Sequence, residues 1–291
     1  MEENNNISGL FSAQEVYRPP LERNSALLEV TSGCSYRKCN FCDFIKDPFI
    51  IYSLEEIERK IQVLAQVING NEQLHFLGCN PFVLPTHKLM EILDLVHQYL
   101  PCVKEVTMYA RAKDILTKSL EELRLLRQNG ITQLHIGIES GSPQLLELHN
   151  KGETPEHFFK AAELLDRGKI HYHLSVILGL GGQLLSQEHT AKTAALLSRL
   201  FPISIWCMAL KVWPGTPLAD MVQTEKFMPM SPLEILYEER AMVEQLELQS
   251  PCMYVDSTVL NKYTLMATLP RQKTRLLKMI TQLIDEENSL I

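Results

Sequence analysis

The stretch A-L-L-E-V-T-S-G-C-S-Y-R-K-C-N-F-C, residues 26–42, decides how the chain is read. Its first six residues, Ala26 to Thr31, carry the apolar and β-branched character of a strand. Immediately behind them stand Cys34, Cys39 and Cys42, three thiols within nine residues and with no fourth nearby. In folds that alternate strands and helices, the carboxyl ends of the strands carry the chemistry. Three thiols in that position ask first for a soft metal.

Five further strand patterns follow: Q-L-H-F-L-G (73–78), V-K-E-V-T-M-Y (103–109), Q-L-H-I-G-I (133–138), Y-H-L-S-V-I-L (172–178) and I-S-I-W-C-M-A-L (203–210). Amphipathic segments separate them, and their starts are marked. Ser53 with Glu56 and Ser119 with Glu122 form capping boxes, and Thr154-Pro155 puts a cap before a helix-starting proline. Asn129-Gly130 is a stop for the helix that Ser119 opens. Strands alternating with helices imply right-handed parallel βαβ units. The expected fold class is therefore α/β, either an open sheet or a partial (β/α)6 barrel, since a closed barrel of this kind has eight units. After the turn W-P-G-T-P-L (213–218) a mostly helical C-terminal extension is expected. It opens with the capped Ser231-Pro232-Leu233-Glu234, ends in a helix over Arg271 to Glu287, and has a less regular stretch at 250–263. The expected organisation is an N-terminal segment 1–23, a core 24–220 and the extension 221–291.

Composition narrows the function. At 45% hydrophobic residues, a chain of 291 can bury a sizeable core. No apolar run reaches the roughly 18 residues of a membrane span, so no membrane partner is expected. The start M-E-E-N-N-N has neither the basic nor the apolar region of a signal peptide, and a cytoplasmic protein is expected. In that compartment its seven cysteines are free, ligating or catalytic. A formal net charge of −7 argues against nucleic acid as a partner. The basic stretch Arg271, Lys273, Arg275 and Lys278 reads as the solvated face of a terminal helix.

Three readings of the cysteine loop stay open on spacing alone. A structural zinc ion wants four protein ligands, so it would need a distant fourth. The C-x4-C-x2-C spacing fits a plant-type [2Fe–2S] run completed by a later cysteine, for which Cys79 is placed. A [4Fe–4S] cubane on three cysteines would leave one iron open to a small molecule.

The loop resembles the signature of the radical S-adenosylmethionine (SAM) enzymes, with Phe41 directly before the last cysteine and one residue more than the commonest first gap. The resemblance spans roughly residues 17–220 and is closest to the methylthiotransferase and coproporphyrinogen-oxidase branches. It implies a [4Fe–4S] cluster on Cys34, Cys39 and Cys42, with S-adenosylmethionine as cosubstrate. In this reading Gly78 begins the loop G-C-N-P (78–81) that meets the methionine amino group, and Glu139, in G-I-E-S-G-S (137–142), faces cosubstrate polar groups. Ile177 and Gly179 match a G-x-I-x-G-x-x-E pattern in which Ser175 and Gly182 stand where glycine and glutamate are expected, and G-L-G-G (179–182) would approach the adenine. The P-G-T-P of 214–217 recurs in the same branches. Arg111, after the third strand, could pair with the methionine carboxylate through its planar fork.

The activity implied is reductive cleavage of S-adenosylmethionine to a 5′-deoxyadenosyl radical that abstracts hydrogen from an unidentified substrate, with a flavodoxin or ferredoxin as reductant. No second cysteine cluster appears, and a stand-alone enzyme without auxiliary iron–sulfur or cobalamin domain is expected. The rival is a non-catalytic iron–sulfur protein, either an electron carrier or a cluster or haem delivery factor. Tyr109 and Lys211 also fall at strand ends, with ordinary rim contacts as their plainer role. Cys102, Cys207 and Cys252 read as small hydrophobes, whereas Cys79 lies on a loop expected to face the cluster.

Overall fold

In a computed structural model, residue 11 and residues 18–68, 70–257 and 261–289 are described. The start M-E-E-N-N-N and residues 258–260 of the stretch 250–263 lie outside them. The strands are β1 (Ala26–Glu29), β2 (Thr31–Ser32), β3 (Ile50–Ile51), β4 (Gln73–Leu77), β5 (Glu105–Ala110), β6 (Ile131–Glu139), β7 (His171–Leu178), β8 (Ser204–Ala209), β9 (Cys252–Asp256) and β10 (Leu265–Leu269). The helices are α1 (Leu54–Val67), α2 (Thr86–Tyr99), α3 (Ala112–Ile115), α4 (Leu120–Gln128), α5 (Pro143–Leu148), α6 (Pro155–Gly168), α7 (Gly182–Leu197), α8 (Pro217–Gln223), α9 (Pro232–Gln245) and α10 (Lys273–Asn288). The chain is α/β with mostly parallel strands, as its sequence implies.

Local chemistry explains where the helices begin. The side chains of Ser53, Ser119 and Ser231 each accept the backbone N–H three residues on, and Glu56, Glu122 and Glu234 reach back to the serine N–H. A cap of this kind is worth about 1 kcal/mol. Apolar spacing then sets which face is buried: Ile57, Ile61 and Leu64 in α1, and Leu89, Ile92, Leu93 and Val96 in α2.

Contacts divide the chain into two compact units. One is built from residues through Arg37, Phe44–Ile136 and Glu163–His171. In it β1, β4, β5 and the start of β6 run parallel, with Ala26 opposite Leu74, Leu74 opposite Val106 and Val106 opposite Ile131. Leu28, Leu74, Phe76, Val106 and Met108 are buried, and the short β2–β3 ribbon is antiparallel.

The second unit comprises Lys38–Asp43, Gly137–Ala162 and Tyr172–Ile291. Here β7 and β8 pair in parallel, with Val176 opposite Cys207. The stretch 250–263, read from sequence as irregular, differs: β9 pairs parallel to β8, and β10 returns antiparallel to it. Five residues flanked by proline and polar groups give a weak signal. Burial of Cys252, Tyr254 and Val255 against β8 supplies what the local pattern lacks. The rest of the extension is helical, with α9 packed against α7 and α10.

Candidate functional site

The first half of the cysteine loop is held by backbone. Gly33 and Gly78 take φ values of 64° and 128°. A Cβ at Gly33 would collide with the Pro48 carbonyl, and one at Gly78 with the Thr31 hydroxyl, so only glycine allows this closeness. The Cys79 N–H donates to the Gly33 carbonyl at 3.3 Å. Asn80, fully buried, ties the rest together. Its Nδ2 donates to Ser35 Oγ at 2.9 Å and to Asp114 Oδ2 at 2.6 Å, while its Oδ1 accepts the Arg111 N–H at 3.2 Å. An amide can be buried there because its hydrogen-bonding capacity is met. Asn80 was not singled out in the sequence; its only local signal is asparagine before a proline in the loop after β4.

Arg111 lies at the end of β5 with its guanidinium 3.8 Å above the ring of Tyr36, which stands between Cys34 and Cys39 in the sequence. A cation at that distance over an aromatic ring gains cation–π attraction, which helps place the Arg111 side chain. Tyr109, one turn of strand earlier, packs edge-on to His75 and tilted against His135, at 5.5 and 5.8 Å. His135 Nε2 meets Glu22 Oε1 at 2.8 Å. Burial opposes charge on Glu22, but the hydrogen bond from His135 and the nearby His75 and His135 charges draw its pKa down to about 2. Glu22 is another residue the sequence did not flag.

The second half of the cysteine loop is anchored in the other unit. Asn40 donates from its N–H to the His149 carbonyl at 2.9 Å and from Nδ2 to the Leu148 carbonyl at 2.8 Å. Its own carbonyl accepts the Leu218 N–H at 3.0 Å. Phe41 packs edge-on to His149 with ring centroids 5.9 Å apart. His149 is buried, holds the Leu180 carbonyl from Nε2 at 2.7 Å, and is kept neutral by its burial. Cys42 turns back so that its N–H meets the Cys39 carbonyl at 3.2 Å.

Glu139 ends β6 with φ 60°, in the left-handed region that a non-glycine residue rarely occupies. Its Oε1 receives the ammonium of buried Lys151 at 2.9 Å, and Ser175 Oγ lies 3.5 Å from Oε2. Burial alone would discharge Lys151. The charges of Glu139, Cys39 and Glu153 instead hold it protonated, above the usual lysine range. Lys151 is thus a buried cation held among negative groups. In the sequence it is one residue of a helix–loop junction, and nothing local marks it.

Ile177 is buried near the end of β7, and Gly179 follows with φ 80°. The Ile177 carbonyl accepts from His189 Nε2 at 3.1 Å. The Gly179 N–H donates to Glu238 Oε1 at 2.5 Å, and Ser186 Oγ donates to Glu238 Oε2 at 2.5 Å. Burial pushes the Glu238 carboxyl up to about 7, against the lowering effect of those two bonds. Lys211 lies 3.7 Å over the ring of Trp213, a rim contact. Cys207 and Cys252 are buried as small hydrophobes; burial pushes the Cys252 thiol up to about 12 and Cys207 well above its ordinary value. Cys34, Cys39, Cys42 and Cys79 are half-buried, and none is in a disulfide.

The family model described as the Radical SAM superfamily matches residues 28–194. The heme chaperone HemW of Bacillus subtilis (strain 168) is 26% identical over 169 residues, covering 54% of this chain and 43% of HemW. A tRNA-2-methylthio-N(6)-dimethylallyladenosine synthase of Sulfurihydrogenibium sp. (strain YO3AOP1) is 24% identical over 238 residues, 77% of this chain and 51% of that protein. The chain spans about half the length of these curated relatives. Among solved structures, the coproporphyrinogen III oxidase HemN from Escherichia coli, a radical SAM enzyme by its description, superposes with a TM-score of 0.57 at 21% identity. It covers 76% of this chain and 52% of HemN, a likeness of fold.

Proposed function

Because the chain belongs to the radical SAM superfamily, we propose that it is an enzyme that holds a [4Fe–4S] cluster on Cys34, Cys39 and Cys42 and uses S-adenosylmethionine to act on a substrate still to be identified. The observation that carries this reading is a C-x4-C-x2-C loop behind the first strand whose three thiols are half-buried and in no disulfide. The donor set fits the group: thiolates are the iron–sulfur ligands, and deeply buried thiols such as Cys207 would stay protonated. When bound, the cluster and cosubstrate would supply an electron and, from it, an adenosyl radical that removes hydrogen from substrate.

The chain's own residues do the rest. Gly33 and Gly78 let backbone approach where no side chain fits. Asn80 fixes the Ser35 end of the cysteine loop, while Asn40 and Phe41 fix the other end. Lys151 places a buried cation that interacts with the charge of Cys39. For the cosubstrate, Gly78 would present its backbone and Arg111 its guanidinium, placed over Tyr36. Glu139 would present its remaining lone pairs, and Ile177 with Gly179 an apolar side chain beside a backbone turn that carries no side chain at Gly179. The working division is a catalytic core over 24–220 and an extension over 221–291, with a flavodoxin- or ferredoxin-type reductant.

Anaerobic reconstitution tests this. About four irons per chain, and 5′-deoxyadenosine released on adding dithionite and S-adenosylmethionine, are the expected results. A fully loaded, reduced sample that releases none would falsify the activity. The similarity to a heme chaperone favours one second reading, haem delivery without turnover. Stoichiometric haem binding and transfer to an acceptor, with no nucleoside released, would select it.

A further inference from the structure

The loop Gly179–Gly182 is shaped by residues that lie far outside the matched family region. Gly182 takes φ 55°, and a Cβ there would sit 2.6 Å from the Met228 carbonyl and 3.1 Å from the Phe227 ring. The Gln183 N–H donates to the same Met228 carbonyl at 3.0 Å. The place where a side chain at position 182 would go is therefore filled by the extension. From the same extension, 59 residues beyond Gly179, Glu238 on α9 sends a carboxylate under the loop. One oxygen takes the Gly179 N–H and the other takes Ser186 on α7. His189, also on α7, fixes the Ile177 carbonyl two residues before Gly179, with its Nε2 3.9 Å from Glu238 Oε1.

Burying a carboxyl to hold one amide is costly; an apolar side chain would fill the space with less desolvation. Such a group is explained by what it orients. We infer that Glu238 is a positioning residue for the cosubstrate loop, its carboxyl supplied by the extension to the Gly179 N–H. The inference rests on the proposed role of Gly179 toward S-adenosylmethionine. With the Gly179 N–H and the Ile177 carbonyl both anchored, the loop is pre-organised, and a ligand that meets its backbone loses less entropy on binding.

Two readouts test it in the full-length chain. Amide hydrogen exchange over residues 177–186, measured without cosubstrate, reports the clasp itself. Equilibrium dialysis of S-adenosylmethionine against reconstituted chain reports its consequence. Glu238→Ala is expected to speed exchange at Gly179 at least about tenfold and to weaken cosubstrate binding about tenfold, with iron content unchanged. Glu238→Gln keeps an acceptor for the amide and is expected to stay within about threefold of the parent on both readouts. Leu236→Ala, a buried truncation on the same helix, should lower the melting temperature without weakening binding. Wild-type exchange and affinity in Glu238→Ala, or weakened binding in Leu236→Ala to the same degree, overturns the inference. Should Glu238→Ala fail to fold, Ser186→Ala decides: faster exchange at Gly179 supports the clasp and unchanged exchange overturns it. If the parent chain binds no S-adenosylmethionine, the functional proposal fails on its own, and the exchange data still judge the clasp.

Discussion

Lys151 sets its ammonium 2.9 Å from Oε1 of Glu139, with both side chains buried. Removing one partner strands the other charge in a poorly solvated place, which typically costs 3–5 kcal/mol. Lys151→Met alone is expected to lower stability by about 3 kcal/mol, whereas Lys151→Met with Glu139→Gln recovers part of that loss, since buried Glu153, 3.9 Å from the same ammonium, still loses its cation. A double-mutant cycle read by denaturant unfolding checks this. Equal losses in single and double variants would remove the ion pair as the cause.

The Asn80 amide is the joint of the first cysteine half-loop. Asn80→Ala gives up three hydrogen bonds and leaves Ser35 and Asp114 to find new partners, at about 2–3 kcal/mol. Iron retained after reconstitution should fall with it. Asn80→Asp should be no better, because it sets a second carboxylate against Asp114. Full iron retention in either variant would show the loop holding its shape without this brace.

Cys34→Ala, Cys39→Ala and Cys42→Ala are each expected to abolish cubane assembly, whereas Cys79→Ala should retain it. Electron paramagnetic resonance of the reduced protein, with and without S-adenosylmethionine, reads the outcome. A cluster lost as completely in Cys79→Ala as in Cys39→Ala would establish four-cysteine ligation and favour the electron-carrier reading.

Glu239 and Asp256 form a buried acid pair under the hydroxyl of Tyr254, which donates to Glu239 Oε1 at 2.8 Å. Burial pushes Glu239 up to about 7 and Asp256 up to about 9, the latter helped by the Glu239 charge. Tyr254 and Cys207 alongside are pushed well above their ordinary values and stay neutral. The unfolded chain releases these carboxyl protons near pH 4, so their contribution to stability is full below that and lost as pH rises through 7 to 9. Glu239→Gln should flatten that decline and gain on the order of 1–2 kcal/mol at pH 8 relative to pH 5. Parallel stability–pH curves for parent and variant would contradict the assignment.

Much of the fold is legible before any coordinates because its causes are local. The six βα strands, the serine–glutamate caps at residues 53, 119 and 231, and the stop at Asn129-Gly130 depend on neighbours three or four positions away. The strand β9 escapes such reading, since five residues between polar flanks acquire their state only from pairing with β8.

Sequence by itself determined the alternation of strands and helices, the place of the cysteine loop and the spacing of its thiols, all properties of short windows of chain. Tertiary structure alone decided the side-chain partnerships: Lys151 with Glu139 at 12 residues' separation, Asn80 with Ser35 at 45, and Glu238 with Gly179 at 59. The reason is physical. A cap or a periodic face draws its energy from atoms a turn away, whereas a buried charge or amide is tolerable only once distant segments have closed around it and met its hydrogen bonds.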